Sequence, residues 1–144
     1  MQVLIAEDER KTREILAGYL LDAGYEPLIA SRGLDAVKIA GDLRPPVILI
    51  DGMLPELHGF EMSRIVREMP DYDPWIILMT AVYKASRYQR EAKLRYGVDR
   101  YLIKPIAQAT LIEEIGAAGR DASRLARVRP RSAMAPAGMM GTSR

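Results

Sequence analysis

The chain has 144 residues, no cysteine and a formal net charge of +2. That length suits one domain with a single hydrophobic core, and the lack of cysteine excludes disulfides and thiolate metal sites. No apolar stretch reaches the roughly 18 residues of a membrane span, and the early acidic residues are untypical of a signal peptide. A cytoplasmic protein without membrane contacts is therefore predicted.

The positive charge is concentrated at the C-terminal end of the sequence. Residues 120–144 contain six arginines and one aspartate, a net charge of +5, so residues 1–119 carry −3. We predict one domain over residues 1–119 and an Arg-rich tail or linker over residues 120–144, whose composition is typical of a flexible segment. Residues 120–129 could alternatively extend the last helix. Because the basic charge lies in the tail, the domain is not predicted to bind nucleic acid.

Short apolar runs alternate with longer amphipathic stretches along the domain. The runs predict five strands and the stretches predict five helices. In the first helix, Ile15, Leu16, Tyr19 and Leu20 are predicted to lie on one face. In chain order the predicted strands are residues 2–6, 27–30, 47–50, 75–79 and 101–103, and the helices are residues 10–22, 33–41, 58–68, 84–96 and 107–118.

Strand–helix units in series predict a parallel sheet with helices on both faces. The runs at 47–50 and 75–79 lack polar alternation, as expected for strands that are covered on both sides. Pro27 cannot donate a ladder hydrogen bond, which favours an edge position for the second strand. The predicted fold class is α/β, a doubly wound (βα)5 domain whose five-stranded parallel sheet has the flavodoxin-like order 2-1-3-4-5.

Polar side chains follow four of the predicted strands. Glu7 and Asp8 follow the first strand, Asp51 the third, Thr80 the fourth and Lys104 the fifth. Ligands of open α/β sheets bind beyond the carboxyl ends of the strands, so these side chains are expected to meet in one site. An acid after a strand is usually a helix N-cap, but that explanation does not account for four polar strand ends together.

The residue types at these positions suit phosphoryl chemistry. Clustered carboxylates without histidine or cysteine favour Mg²⁺, which needs one or two carboxylates together with water and phosphate oxygens. An aspartate such as Asp51 can act as a nucleophile and accept a phosphoryl group. Phosphoryl transfer mainly requires positioning and neutralisation of the phosphoryl oxygens, for which Mg²⁺, Lys104 and Thr80 with a backbone N–H are suitable.

Four segments of the sequence resemble the receiver domains of two-component response regulators. The resemblance extends from residue 1 to about residue 119, which is nearly the whole predicted domain. The segments are VLIAED (3–8), VILIDGMLPELHGFE (47–61), IILMTA (76–81) and GVDRYLIKP (97–105).

The resemblance implies a metal site and a phosphoacceptor. Glu7 and Asp8 would form the acidic Mg²⁺ pocket, and Asp51 would be both a metal ligand and the phosphoacceptor. Met53 would offer its backbone carbonyl to the metal.

The resemblance also implies a conformational switch. Thr80 matches the switch hydroxyl, and Tyr101 matches the aromatic residue that changes rotamer on activation. Lys104 matches the phosphate-binding lysine, and Pro105 matches the family's cis-proline.

The implied function is that of a phosphorylation-activated receiver. A sensor histidine kinase or phosphotransfer protein would phosphorylate Asp51, and the surface of the fourth helix, fifth strand and fifth helix would signal to an output protein. The domain is not predicted to be an enzyme, apart from self-catalysed phosphoryl uptake and autodephosphorylation. A phosphorylation-linked homodimer stays open, and so does the choice between a stand-alone receiver and part of a larger protein.

Two positions near Asp51 depart from the family's common pattern. Gly52 stands where an apolar side chain is common, which gives the backbone more freedom. His58 stands where an acid is frequent, and it is predicted to be a solvated residue that opens the third helix.

The region around the fourth helix also departs from that pattern. Thr80 and Lys104 are 24 positions apart, which predicts extra length in this helix or in the loop before it. Residues 84–97 carry a net charge of +4. The row formed by Tyr88, Ala92 and Tyr96 could simply pack a solvated helix on the sheet, or the helix could be an output surface for an acidic partner.

Two other functions remain as alternatives. A phosphatase of the haloacid dehalogenase type would also use an aspartate nucleophile, but it needs a second aspartate where this chain has Met53. A receiver-fold binding module would bind its partner without regard to phosphorylation. Met53 disfavours the phosphatase, and the presence of all five residues at the strand ends disfavours the phosphorylation-independent binding module.

Overall fold

The computed structural model describes residues 1–120, which form a parallel sheet between two layers of helices. Each predicted element is present, and its ends lie within two residues of the prediction. In chain order the elements are β1 (Gln2–Ala6), α1 (Arg10–Asp22), β2 (Glu26–Ala30), α2 (Gly33–Leu43), β3 (Val47–Asp51), α3 (Gly59–Arg67), β4 (Trp75–Thr80), α4 (Ser86–Arg95), β5 (Arg100–Ile103) and α5 (Gln108–Gly119).

The predicted tail and the alternative extension of the last helix lie, from residue 121 onward, outside the described residues. Among residues 1–120, no helix combines the length and the apolar character that crossing a membrane would need.

The sheet has the strand order β2-β1-β3-β4-β5, and each neighbouring pair is parallel. The predicted fold class is therefore confirmed. Pro27 lies in β2, the edge strand that pairs only with β1, where the missing backbone N–H leaves no gap in the interior of the sheet.

Apolar side chains cover both faces of the sheet, because successive residues of a strand point to opposite sides. Consecutive positions in the three inner strands are fully buried, which explains why β3 and β4 read as unbroken apolar runs. One face carries Leu4, Ile48, Ile50, Ile76 and Leu78 against α2, α3 and α4, and the other carries Val3, Ile5, Leu49, Ile77 and Met79 against α1 and α5.

The predicted inner face of α1 is only partly correct. Leu16 and Leu20 are buried and Tyr19 packs at the margin of the core, but Ile15 is 45% exposed. Ile15 lies at the edge of the apolar stripe, where it lines an open recess of about 370 Å³ between α1 and Pro105.

Candidate functional site

The strand register brings the predicted site residues to one edge of the sheet. Ala6 pairs with Ile50, so Glu7 emerges beside Asp51, the last residue of β3. Thr80 ends β4 and pairs with Ile103, the residue before Lys104. The site is therefore formed by topology from residues that are far apart in the chain.

Three carboxylates form a tight acidic cluster at this edge. Oxygen atoms of Glu7, Asp8 and Asp51 all lie within 4.8 Å of one another. Glu7 is 1% exposed and Asp51 is 5% exposed, whereas Asp8 is exposed. An all-oxygen donor set with one open side fits a hard divalent cation such as Mg²⁺, as the sequence predicts.

Lys104 lies against the acidic cluster. Its Nζ donates a 2.6 Å hydrogen bond to Glu7 Oε1 and lies 3.4 Å from Asp51 Oδ2. In this structure the lysine therefore pairs with Glu7, which the sequence had assigned to the metal alone. The ammonium offsets part of the repulsion between the carboxylates.

The two partners of this ion pair have perturbed pKa values. Burial raises the pKa of Glu7 above its ordinary 4.5, although the hydrogen bonds donated by Lys104 and by the backbone N–H of Glu9 oppose this change. Burial would lower the pKa of Lys104, but the hydrogen bond to Glu7 and the nearby Asp51 carboxylate raise it above the ordinary 10.5. A buried acid and a lysine that is firmly charged are therefore in direct contact.

The segment after Asp51 is packed closely against that residue. The backbone N–H of Met53 donates to Asp51 Oδ1 over 3.2 Å, and the N–H of Gly59 donates to the Gly52 carbonyl over 3.2 Å. A Cβ at Gly59 would lie 2.2 Å from the Asp51 carbonyl oxygen. Only glycine permits this close approach, which holds the backbone of Asp51 and Gly52 against the start of α3.

The Thr80 hydroxyl caps the turn that follows β4. Its oxygen is buried and accepts the backbone N–H groups of Val82 at 3.0 Å and Tyr83 at 3.1 Å. The Thr80 carbonyl accepts the N–H of Lys104 over 2.8 Å, and the Lys104–Pro105 peptide is cis, as the resemblance implies. Thr80 is therefore bonded both to the loop before α4 and to the end of β5.

Tyr101 is bonded to the same loop. Its hydroxyl donates a 2.6 Å hydrogen bond to the carbonyl of Tyr83, and its side chain is half-buried. Burial, followed by the neighbouring Tyr88 and Tyr83 hydroxyls, raises the pKa of Tyr101 to about 12.

A group of aromatic rings, here named the aromatic cluster, connects α3, the loop before α4, α4 and β5. The prediction that His58 is solvated is only partly correct, because the residue is half-buried and its ring stacks on Phe60 at 5.3 Å and lies 5.9 Å from Tyr83. His58 occupies the N-cap position of α3, which faces that loop. Sequence reasoning missed Phe60 and Tyr83, and the long spacing from Thr80 to Lys104 was an available signal only for Tyr83. The members are His58, Phe60, Tyr83, Tyr88, Tyr96 and Tyr101.

The fourth helix has one packed face and one exposed basic face. Ala92 is fully buried, and Tyr88 and Tyr96 are half-buried, so the row predicted from the sequence does pack inward. Leu94 is 79% exposed on the opposite side. The exposed basic side chains around it are Arg87, Arg90, Lys93 and Arg95.

Comparison with known proteins identifies the family. The family model described as the response regulator receiver domain matches residues 3–116. The chain belongs to that family. The receiver spans about half the length of the curated relatives that it matches.

Among those relatives is the transcriptional regulatory protein CusR of Escherichia coli (strain K12). It is 36% identical over 115 residues, which are 80% of this chain and 49% of CusR.

Solved receiver structures have the same fold. The receiver domain of Francisella response regulator 1452 superposes with a TM-score of 0.76 at 26% identity, over 83% of this chain and 96% of that one. The receiver domain of the sensor histidine kinase PA1611 from Pseudomonas aeruginosa PAO1 superposes with a TM-score of 0.73 at 29% identity, over 82% of this chain and 97% of that one. That structure has a magnesium ion coordinated in its active site cleft.

Proposed function

We propose that the receiver is a cytoplasmic switch that is phosphorylated on Asp51 by a sensor histidine kinase or phosphotransfer protein. The observation that carries this proposal is the position of the Asp51 carboxylate. It lies among acidic oxygens within 4.8 Å and has the ammonium of Lys104 at 3.4 Å from Oδ2. A nucleophile with oxygen ligands on one side and a cation on the other suits phosphoryl transfer.

The proposed reaction transfers the phosphoryl group between two side chains. An oxygen of Asp51 attacks the phosphorus of a donor phosphohistidine, and an acyl phosphate forms. The phosphorus–nitrogen bond breaks, and the imidazole leaves with the bonding electrons. Later attack by water releases inorganic phosphate and restores the carboxylate. Bound Mg²⁺, held by Glu7, Asp8, Asp51 and the Met53 carbonyl, would neutralise charge on the phosphoryl oxygens.

Lys104 and Thr80 change partners in this proposal. The ammonium of Lys104 is already close to Asp51, so a phosphoryl oxygen there would compete with Glu7 for it. The Thr80 hydroxyl would turn to donate to another phosphoryl oxygen, and its hydrogen bonds from Val82 and Tyr83 would break. Tyr101 would then reorient with the loop, because its hydroxyl is bonded there.

We further propose that α4, β5 and α5 present the output surface to a partner with acidic groups. The exposed face of α4 carries four basic side chains around Leu94, which is 79% exposed. An acidic segment with an apolar side chain would complement both the charge and the apolar centre of this face. Phosphorylation would shift the population toward the output-competent conformation only by the free energy with which the phosphoryl group stabilises that conformation more than the resting one.

The proposal is tested by treatment with acetyl phosphate and Mg²⁺, followed by intact-protein mass spectrometry. The parent protein should gain about 80 Da, the mass of one phosphoryl group, and Asp51→Asn should gain nothing. Asp42→Asn is the matched control, because Asp42 is an exposed aspartate that pairs with Lys38 at the end of α2. Equal gains by Asp51→Asn and the parent would refute the assignment.

A further inference from the structure

One residue of the loop before α4 is bonded to both proposed switch side chains. The N–H of Tyr83 donates to the Thr80 hydroxyl oxygen over 3.1 Å, and the Tyr83 carbonyl accepts the Tyr101 hydroxyl over 2.6 Å. A displacement of either side chain therefore acts on the backbone of Tyr83.

The Tyr83 ring extends this connection beyond the loop. Its centroid lies 5.1 Å from the Tyr88 ring in α4, 5.7 Å from the Phe60 ring in α3 and 5.9 Å from the His58 ring. Phe60 in turn contacts the Tyr96 ring edge-on at 5.4 Å. The backbone that contacts the switch thus carries a side chain that contacts two helices.

Phe60 also lies beside the phosphoacceptor segment. A Cβ built at Gly52, the residue after Asp51, would be 3.6 Å from the Phe60 ring. The Phe60 and Tyr83 rings pack edge to face at 76°, an arrangement that aromatic pairs favour. Packed groups of this kind change between discrete arrangements rather than deforming continuously.

We propose that Tyr83 is a further positioning residue of the switch, which transmits the displacement of Thr80 to the start of α3. The surface around His58 and Phe60 then changes together with α4 when Asp51 is phosphorylated. This inference rests on the proposed function, and it adds the N-terminal turn of α3 to the surface that responds. Because the transmission uses the ring of Tyr83, the Tyr83 hydroxyl is dispensable for it.

His58 provides a direct readout, because it is the only histidine of the chain. Its carbon-bound imidazole protons give one isolated set of NMR signals, and the ring currents of Phe60 and Tyr83 contribute to their shifts. The probe is beryllofluoride with Mg²⁺, a stable mimic of the phosphoryl group. All spectra are recorded in one buffer at one pH, and fluorine NMR measures bound beryllofluoride in each sample.

The parent protein should show a change in the His58 shifts when beryllofluoride binds. Tyr83→Phe keeps the ring and should retain the whole change. Tyr83→Leu should still bind beryllofluoride but lose most of the change. Tyr25→Leu is the matched control, because Tyr25 packs on the opposite face of the sheet, and it should respond like the parent.

The outcomes test the role of Tyr83 separately from the proposal that Asp51 is the phosphoacceptor. If the His58 shifts of Tyr83→Leu change as much as those of the parent, the role of Tyr83 is overturned. The same holds if the His58 shifts of the parent do not change when beryllofluoride is bound. Those results would leave the phosphoacceptor proposal intact. Absence of bound beryllofluoride in the parent would overturn both. Loss of the response in Tyr83→Phe would show that the hydroxyl transmits the signal, which contradicts the ring-based account.

Discussion

The ammonium of Lys104 donates a hydrogen bond of 2.6 Å to Glu7, a carboxylate that is only 1% exposed. The same nitrogen lies 3.4 Å from Asp51. Because a buried carboxylate is costly without a counter-charge, Lys104 acts as the counter-ion of both acids. A metal ion at this site would compete with Lys104 for the carboxylates, and a phosphoryl group on Asp51 would compete with Glu7 for Lys104.

Replacing Lys104 with methionine should strengthen Mg²⁺ binding by roughly tenfold, because the carboxylates lose the cation that competes with the metal. Isothermal titration calorimetry would measure the Mg²⁺ dissociation constant. Lys93→Met removes an exposed lysine of α4 and should leave that constant unchanged. Weaker Mg²⁺ binding in Lys104→Met would contradict the proposed competition between Lys104 and Mg²⁺ for the carboxylates.

Asp8→Asn should have opposite effects on metal binding and on the stability of the metal-free protein. Mg²⁺ affinity should fall by roughly tenfold or more, since a ligand is lost. The metal-free melting temperature should rise, because one of three mutually repelling carboxylates becomes neutral.

The adjacent acid supplies the control for Asp8. Glu9 is exposed and lies outside the group of oxygens within 4.8 Å of one another, so Glu9→Gln should alter Mg²⁺ affinity little. Calorimetry and thermal unfolding with a chelator would measure the two quantities. Equal loss of Mg²⁺ affinity in Glu9→Gln and Asp8→Asn would argue against a specific pocket.

Alanine substitutions at two glycines should change the free energy of unfolding in opposite directions. Gly59→Ala should destabilise the protein by about 2–3 kcal/mol, since its Cβ would lie 2.2 Å from the Asp51 carbonyl oxygen. Gly18 lies inside α1 with open space around it, so Gly18→Ala should stabilise the protein by about 0.5–1 kcal/mol. Urea unfolding measures both. Gly59→Ala should also lower the rate of phosphoryl uptake, and a fully active, equally stable Gly59→Ala would refute the proposed close packing.

Tyr101 should contribute to the loss of stability at alkaline pH. Its pKa is about 12 in the folded protein, above the ordinary 10.0, so the folded state holds the phenolic proton more tightly than the unfolded chain. Its contribution to the unfolding free energy is complete below pH 10 and is lost as the pH rises through about 12. Tyr101→Phe should therefore lose stability less steeply between these values in urea unfolding. Identical slopes in both proteins would contradict the raised pKa.

The fold was predictable because local patterns and topology agree. The unbroken apolar runs at 47–50 and 75–79 favoured strands buried on both faces, and Pro27 favoured an edge position. Parallel strands then bring Asp51 and Thr80 to one edge whatever the details of packing. The first and last residues of each element were less predictable, because helix termini depend on caps and tertiary contacts.

The partners of individual side chains were not predictable in the same way. Lys104 has a long, flexible side chain, and sequence alone does not distinguish a phosphoryl oxygen from Glu7 as its acceptor. His58 is polar and begins a helix, so solvent exposure was expected, and only the folded positions of Tyr83 and Phe60 cover part of its ring. Tyr83 lies in an irregular loop, where no periodicity indicates which side chains face inward.

The most direct test of the account identifies the phosphorylated residue chemically. The receiver is phosphorylated with acetyl phosphate and Mg²⁺ and reduced with borohydride, which converts an aspartyl phosphate to homoserine, and its peptides are sequenced by mass spectrometry. The account predicts homoserine at position 51 and aspartate at positions 8 and 42. Homoserine at position 8, or a phosphorylated protein with unaltered Asp51, would contradict it.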